Sequence, residues 1–84
     1  MNIIIYSTEW CVPCKNAKKL LDEKRVMYKE IDIEQNDISR DELHKITGGR
    51  TVPQILINDT AIGGYRELFH LNQSGELDQL LELS

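Results

Sequence analysis

Both cysteines of this chain lie in one pentapeptide, Trp10-Cys11-Val12-Pro13-Cys14, at the boundary between two hydrophobic patterns. Before it, the apolar and mostly β-branched run at residues 3–6 predicts a strand that is buried on both faces. After it, apolar residues recur at helical spacing, and Pro13 fits the first turn of a helix, where its missing N–H costs no hydrogen bond. The pentapeptide therefore predicts a helix that begins directly after a buried strand, with both thiols at its start.

A pair of thiols at this position favours reversible disulfide chemistry. The first turn of a helix carries unpaired N–H groups and the positive end of the helix dipole, and both stabilise a thiolate relative to a thiol. Cys11 is therefore the predicted nucleophile. Cys14, one turn further along, is the predicted thiol that resolves the mixed disulfide.

A structural disulfide and a metal site are the alternatives for the same two cysteines. Closing so small a loop stabilises a fold by only about 2 kcal/mol in the chain-entropy model. No signal peptide precedes the first strand, so we expect a cytoplasmic protein, whose Cys-x-x-Cys pair is more often catalytic or metal-binding than structural. A tetrahedral zinc site needs two further ligands, and the candidates His44 and His70 have no partner at ligand spacing. No metal site is therefore predicted.

Length and charge narrow the class of protein further. Eighty-four residues predict one small domain, residues 1–84. The net charge of −4 argues against nucleic acid and membrane surfaces as partners. No apolar run approaches the roughly 20 residues of a membrane-spanning helix. We therefore expect a monomer that acts on proteins or small molecules.

The middle of the chain predicts a second strand and a second helix. The strand is predicted by an alternating stretch whose apolar side consists of Met27, Ile31 and Ile33. The helix is predicted from its ends, because Ser39 and Glu42 fit a capping box and Gly48 with Gly49 fits a helix terminus.

The last third of the chain predicts a hairpin followed by helices. Residues 54–57 and 60–62 read as strands joined by a turn at Asn58-Asp59. Ser74 is predicted to cap the last helix, and a shorter helix is predicted at residues 66–71. The apolar face of the last helix is predicted to consist of Leu77, Leu80 and Leu81.

This order of elements predicts an α/β fold with a four-stranded mixed sheet and helices on both faces. A right-handed crossover makes the first two strands parallel, and the hairpin adds an antiparallel pair. Ligands of open α/β sheets bind beyond the carboxyl ends of the strands, which is where Cys11 is expected.

Residues well beyond the two cysteines share an order and spacing with a known family: Tyr6, Cys11-x-x-Cys14, Ala17, Leu20-Leu21, Thr51-Val52-Pro53-Gln54, Gly63-Gly64 and Gly75-Glu76-Leu77. In this pattern, which runs along almost the whole chain, the protein resembles the glutaredoxins. The resemblance implies the thioredoxin fold. It also implies a cis peptide bond between Val52 and Pro53 that faces the two sulfurs.

The resemblance implies a glutathione groove beside Cys11. Carried over by position, the groove is formed by four residues with one lysine near its mouth: Thr51, Val52, Gly64, Tyr65 and Lys15. Two positions depart from the family, which often has lysine where this chain has Thr8, and Asp or Ser where it has Arg66. The Arg66 guanidinium cannot accept a hydrogen bond from the α-amino group of glutathione, although it can pair with the neighbouring carboxylate.

Other features around the cysteines are similar to relatives of the glutaredoxins. Trp10 and the run Pro13-Cys14-Lys15 resemble the thioredoxin site, and Gly64-Tyr65-Arg66 resembles the Gly-Phe-Arg of NrdH-type redoxins. An apolar rim that presses on a partner around its disulfide is predicted from Trp10, Val12, Val52 and Tyr65.

The sequence thus predicts a dithiol–disulfide oxidoreductase of the glutaredoxin type. Cys11 and Cys14 would reduce protein disulfides or glutathione mixed disulfides, with glutathione as co-substrate and no tightly bound cofactor. One alternative is a redoxin that takes electrons from thioredoxin reductase and donates them to ribonucleotide reductase. Another is a binding module that holds an iron–sulfur cluster between two subunits through Cys11 and glutathione. A third is an interaction protein that needs neither thiol.

Overall fold

Strands and helices alternate through most of the chain in the computed structural model, which describes residues 1–82. The elements are β1 (Ile3–Ser7), α1 (Val12–Glu23), β2 (Lys29–Asp32), α2 (Arg40–Thr47), β3 (Gln54–Ile57), β4 (Thr60–Gly63), α3 (Tyr65–Ser74) and α4 (Glu76–Leu80). This order agrees with the α/β arrangement predicted from the hydrophobic patterns.

The sheet has the strand order β2-β1-β3-β4, with β1 parallel to β2 and antiparallel to β3, and β3 antiparallel to β4. The predicted mixed sheet is therefore confirmed. Tyr6 near the end of β1 pairs with Gln54 at the start of β3. This register brings the segment that follows β1 and the segment that precedes β3 to the same edge of the sheet. The two cysteines and Pro53 lie in these two segments.

Side chains that alternate along the central strands fill two apolar layers, one on each face of the sheet. One layer contains residues of β1, β3, α1, α3 and α4, chiefly Ile3, Ile5, Ala17, Leu21, Ile55, Ile57, Leu68 and Leu77. The other lies on the α2 side of the sheet and contains Tyr6, Ile33, Leu43 and Leu56. Helices therefore cover both faces, as predicted, and burial of these apolar surfaces is the main stabilising contribution.

Short sequence patterns determine the ends of α2 and the hairpin turn. The Ser39 Oγ accepts the Glu42 N–H at 3.1 Å, and the Glu42 carboxylate accepts the Ser39 N–H at 3.1 Å, which completes the predicted capping box. Gly48 ends α2 with a φ of 85°, a conformation that favours glycine. Asn58 and Asp59 both have positive φ, as a tight hairpin turn requires.

Four expectations for the elements differ from the structure, one in β2 and three at the end of the chain. Met27 lies outside β2 and is 91% exposed, so it is not part of the strand's apolar side. The chain end is divided differently, because α3 runs for ten residues and α4 for only five. Gly75, with a φ of 84°, separates the two helices and is the N-cap residue of α4, a position predicted for Ser74. The Ser74 Oγ nevertheless accepts the Glu76 N–H at 3.3 Å. Leu80 is 38% exposed and adds little to the apolar face.

Among residues 1–82, no helix combines the length and the apolar character that crossing a membrane requires.

Replacing Leu21 with Ala tests the layer between α1 and the sheet. Leu21 is fully buried, so Leu21→Ala is expected to lower the free energy of unfolding by about 2–5 kcal/mol through lost burial and a residual cavity. Urea denaturation followed by circular dichroism measures this change. Lys19→Ala on the exposed side of α1 is the control, with an expected change within about 0.5 kcal/mol. Equal effects of the two substitutions would contradict the assignment of Leu21 to the core.

Candidate active site

Cys11 is the N-cap residue of α1, and its side chain performs the capping. Its backbone is extended (φ −85°, ψ 116°), and its Sγ accepts the Cys14 N–H at 3.1 Å. Pro13 occupies the first turn of the helix, as predicted. The sulfur of Cys11 therefore receives a hydrogen bond from one of the N–H groups that a helix start leaves unpaired, an arrangement that stabilises negative charge on sulfur.

Cys14 lies in a different environment although it is only three residues away. Cys14 is fully buried, whereas Cys11 is 7% exposed. Burial raises the pKa of the Cys14 thiol to about 12, with further contributions in the same direction from its hydrogen bond and charge interaction with Cys11. Cys14 is therefore a thiol at neutral pH, with its sulfur withdrawn from solvent.

The segment before β3 faces Cys11. The peptide bond between Val52 and Pro53 is cis, the conformation that the resemblance implies. The Cys11 thiol donates to the Val52 carbonyl at 3.6 Å. A Cβ atom on Gly64 would lie 3.3 Å from the Pro53 carbonyl oxygen, so the start of α3 packs closely against this segment. The Val52 backbone thus lies next to the Cys11 sulfur, and Gly64 packs against the neighbouring Pro53.

Contacts from β3 and α2 hold this segment in place. The Gln54 amide donates to the Thr51 hydroxyl at 3.4 Å. A Cβ atom on Gly49 would approach the Gln54 Nε2 to 2.3 Å, so glycine at this position leaves room for the Gln54 side chain. From α2, the Arg40 guanidinium donates to the Arg50 carbonyl at 3.1 Å. Neighbouring elements therefore restrain the segment from both sides.

An open groove runs past the Cys11 sulfur and is lined by Trp10, Cys11, Val12, Pro13, Arg40, Thr51 and Val52. Its rim is apolar and accessible, with Trp10 67% and Val12 63% exposed. The Trp10 indole N–H donates to the Glu34 carboxylate at 3.2 Å, which orients the ring. Exposed aromatic and aliphatic side chains around a sulfur form a surface that suits contact with a protein or peptide.

Four residues predicted to bind glutathione or substrate do not line this groove: Lys15, Gly64, Tyr65 and Arg66. Tyr65 lies 6.0 Å from Phe69, measured between ring centroids, and lines a separate depression between α1 and α3. Lys15 and Arg66 are exposed near the starts of α1 and α3. Thr8, where the family often has lysine, is buried at 1% exposure and offers no surface to a ligand. Its hydroxyl makes no hydrogen bond with the described residues.

Sequence reasoning missed two residues of the site. Arg40 follows the α2 cap and Glu34 follows β2, so neither belongs to a motif that contains the cysteines. The single available signal for Arg40 is its place beside the predicted N-cap Ser39. The approach of these residues to Cys11 depends on the packing of α2 and the end of β2 beside the carboxyl end of β1, which no local pattern encodes.

Comparisons with known proteins cover most of the chain. A glutaredoxin family model matches residues 3–62. Glutaredoxin 3 of Escherichia coli K12 is 43% identical over 81 residues, covering 96% of this chain and 98% of the relative. Glutaredoxin 1 of Rickettsia typhi is 45% identical over 82 residues, covering 95% of this chain and 79% of the relative. The crystal structure of a buckwheat glutaredoxin–glutathione complex matches with a TM-score of 0.87 at 30% identity, covering 95% of this chain and 76% of that chain.

The two thiols are expected to differ in their reaction with iodoacetamide. In Cys11→Ser, the remaining Cys14 is still buried, and burial is the largest cause of its raised pKa, so it is expected to stay a thiol at neutral pH. Its alkylation rate should therefore be at least about 100-fold below that of Cys11 in Cys14→Ser at pH 7.5, because the thiolate is the reactive form. The rate should also keep rising with pH, with no plateau below pH 10. Intact-protein mass spectrometry at timed intervals measures both rates.

The two single-cysteine variants serve as matched controls for each other, since each keeps one thiol on the same helix. Alkylation of Cys14 at the rate of Cys11, or a plateau in the Cys14 profile near neutral pH, would contradict the assigned difference in environment. Circular dichroism of both variants shows whether α1 is retained.

Proposed function

Because the chain belongs to the glutaredoxin family, we propose that Cys11 and Cys14 carry out its thiol–disulfide exchange in two steps. Members of the family are thiol–disulfide oxidoreductases, and so is this chain. The observation that carries the proposal is the N-cap geometry. The Cys11 sulfur accepts a helix N–H and borders the open groove, while the Cys14 side chain is fully buried one turn away.

In the first step, the Cys11 thiolate attacks one sulfur of a substrate disulfide. A bond forms between the Cys11 Sγ and that sulfur, and the other substrate sulfur leaves as a thiolate. The Cys14 N–H stabilises the attacking thiolate before the reaction. The groove that the Cys11 sulfur borders gives the substrate its approach.

In the second step, Cys14 attacks the Cys11 sulfur of the mixed disulfide. The Cys11–Cys14 bond forms, and the second half of the substrate leaves as a thiolate. Two electrons pass from the cysteine pair to the substrate disulfide over the two steps. Because Cys14 is buried within α1, it reaches only a disulfide that is already attached to Cys11.

Glutathione is the reductant that we propose for the oxidised pair. The groove offers an accessible Val52 backbone, the Thr51 side chain and the Arg40 guanidinium beside the Cys11 sulfur. Glutathione carries two carboxylates, and a guanidinium binds a carboxylate through two parallel hydrogen bonds. We therefore propose that Arg40 supplies the positive charge for a glutathione carboxylate, in place of the lysine that the family often has at the position of Thr8. The buckwheat relative, whose structure is a glutathione complex, supports the same ligand class.

We propose that three further residues predicted to contact glutathione, Gly64, Lys15 and Arg66, lie at the edges of this site. Gly64 lies against Pro53, the residue that follows Val52, so we propose that its backbone lies beyond the edge of the groove. Arg66 and Lys15 are exposed cations that favour an anionic ligand through charge without lining the groove. For protein substrates, we propose that Trp10 and Val12 contact the residues that flank the disulfide.

A thioredoxin reductase is the second candidate for the reductant. Burial of Thr8 removes one position at which the family often holds glutathione, and the exposed Trp10 and Val12 suit a protein partner. The chemistry at Cys11 and Cys14 is the same in both cases. In this alternative the electrons of the reduced pair would pass to a protein such as ribonucleotide reductase.

Reduction of the Cys11–Cys14 disulfide by glutathione, followed through the fluorescence of Trp10, tests the proposal. The reaction is expected to saturate at millimolar glutathione. Arg40→Met is expected to raise the half-saturating concentration about tenfold, which corresponds to about 1.4 kcal/mol of lost carboxylate binding. Arg50→Met removes the same charge from a side chain that pairs with Asp41 outside the groove, so it should leave the constant unchanged.

Slow reduction that rises linearly with glutathione would contradict the proposed groove. In that case, rapid reduction by thioredoxin reductase and its nicotinamide cofactor would favour the second candidate.

A further inference from the structure

We propose that Lys18, which Glu30 holds on the Cys14 side of α1, promotes the second step of the exchange by stabilising the thiolate that forms on Cys14. This inference rests on the proposed function. It assigns a role to a lysine that takes no part in the groove beside Cys11.

The place of Lys18 on α1 and its salt bridge to Glu30 fix the position of its side chain. It lies four residues after Cys14 on α1, so the two side chains are neighbours on one face of the helix. Its Nζ lies 2.8 Å from the Glu30 Oε2 on β2. The same carboxylate accepts the Ser7 hydroxyl at 2.7 Å, and Ser7 is 1% exposed at the end of β1. The ammonium group is therefore tied to the sheet and does not extend freely into solvent.

Most groups around Cys14 disfavour its thiolate, so a nearby positive charge affects how readily that thiolate forms. Burial raises the pKa of its thiol most, and the hydrogen bond and the charge interaction with Cys11 raise it further. Two groups act in the opposite direction, the Thr8 backbone and the charge of Lys18. When Cys11 is bound in a mixed disulfide, it carries neither a proton nor a negative charge. Both contributions of Cys11 then disappear, and those of Thr8 and Lys18 remain.

The other charged side chains that line the depression beside Lys18 are all acidic. The depression is lined by Glu9, Lys18, Glu30, Asp32, Gln35 and Asn36. The hydrogen bond from Lys18 is the main cause that lowers the pKa of Glu30, with Ser7 acting in the same direction and Asp32 opposing, so Glu30 is a carboxylate at neutral pH. Negative groups disfavour a thiolate nearby. Lys18 is therefore the cation that offsets them on the Cys14 side of α1.

In this step Cys14 releases one proton and one S–S bond replaces another. Cys14 loses its proton to water and attacks the Cys11 Sγ of the mixed disulfide. The Cys11–Cys14 bond forms, the bond between the Cys11 Sγ and the substrate sulfur breaks, and the substrate thiolate leaves with the electron pair. Lys18 keeps its own proton throughout and contributes its charge alone.

Stopped-flow reaction of the reduced protein with one equivalent of 4,4′-dithiodipyridine separates the two steps. Attack by Cys11 releases the first thiopyridone, and closure by Cys14 releases the second, so absorbance at a single wavelength reports two phases. The reagent is uncharged at neutral pH, so its approach is insensitive to a lost lysine. Cys14→Ser, which can release only the first thiopyridone, assigns the phases.

Lys18→Met keeps the aliphatic stem and removes the charge. It is expected to slow the second phase about tenfold at pH 7, to change the first phase less than twofold, and to move the pH profile of the second phase to higher pH. Lys18→Arg restores a cation and should keep the second phase within about threefold of the unmodified protein. Lys19→Met removes the same charge from the next, exposed position of α1 and should change neither phase.

Three other outcomes would contradict either the role of Lys18 or the two-step function on which it rests. A second phase in Lys18→Met that matches Lys19→Met would overturn the role of Lys18. Equal slowing of both phases would also overturn it, because it would indicate a structural effect on α1. Release of only one thiopyridone by the unmodified protein would instead refute the proposed two-step function itself.

Discussion

The hydrogen bond from the Cys14 N–H to the Cys11 sulfur is the interaction on which the rest of the site depends. It closes the start of α1, which would otherwise leave this donor unpaired, and it places a sulfur where a helix stabilises negative charge. One bond is thus both a cap for the helix and a support for Cys11, the proposed nucleophile. It requires that α1 begin within a few residues of β1, and Pro13 is compatible with that start.

This geometry gives two identical side chains different chemical roles. Cys11 borders the groove with Trp10 and Val52, whereas Cys14 is covered by the protein and has a pKa of about 12. A thiol that is buried and protonated does not compete for external disulfides. In the proposed mechanism, it attacks only after Cys11 has formed a mixed disulfide with the substrate. The order of the two proposed steps therefore follows from burial.

Features encoded within a few residues could be predicted from the sequence, and features that depend on distant packing could not. The Ser39 capping box and the Asn58-Asp59 turn are local, and the structure contains both. The approach of Arg40 to the groove depends on how α2 packs beside the end of β1. The end of the chain was assigned wrongly because a serine before acidic residues is typical of an N-cap, whereas the left-handed conformation of Gly75 decides where α4 begins.

The central claim is that Cys11, which borders the groove, reacts first and that the fully buried Cys14 reacts second. Mixing the reduced protein with a peptide disulfide, stopping the reaction with acid after a few milliseconds and mapping the adduct by tandem mass spectrometry tests this most directly. The account predicts that the peptide is attached to Cys11 alone, and that the adduct decays as the Cys11–Cys14 disulfide forms. A peptide attached to Cys14 at the earliest times would contradict the account.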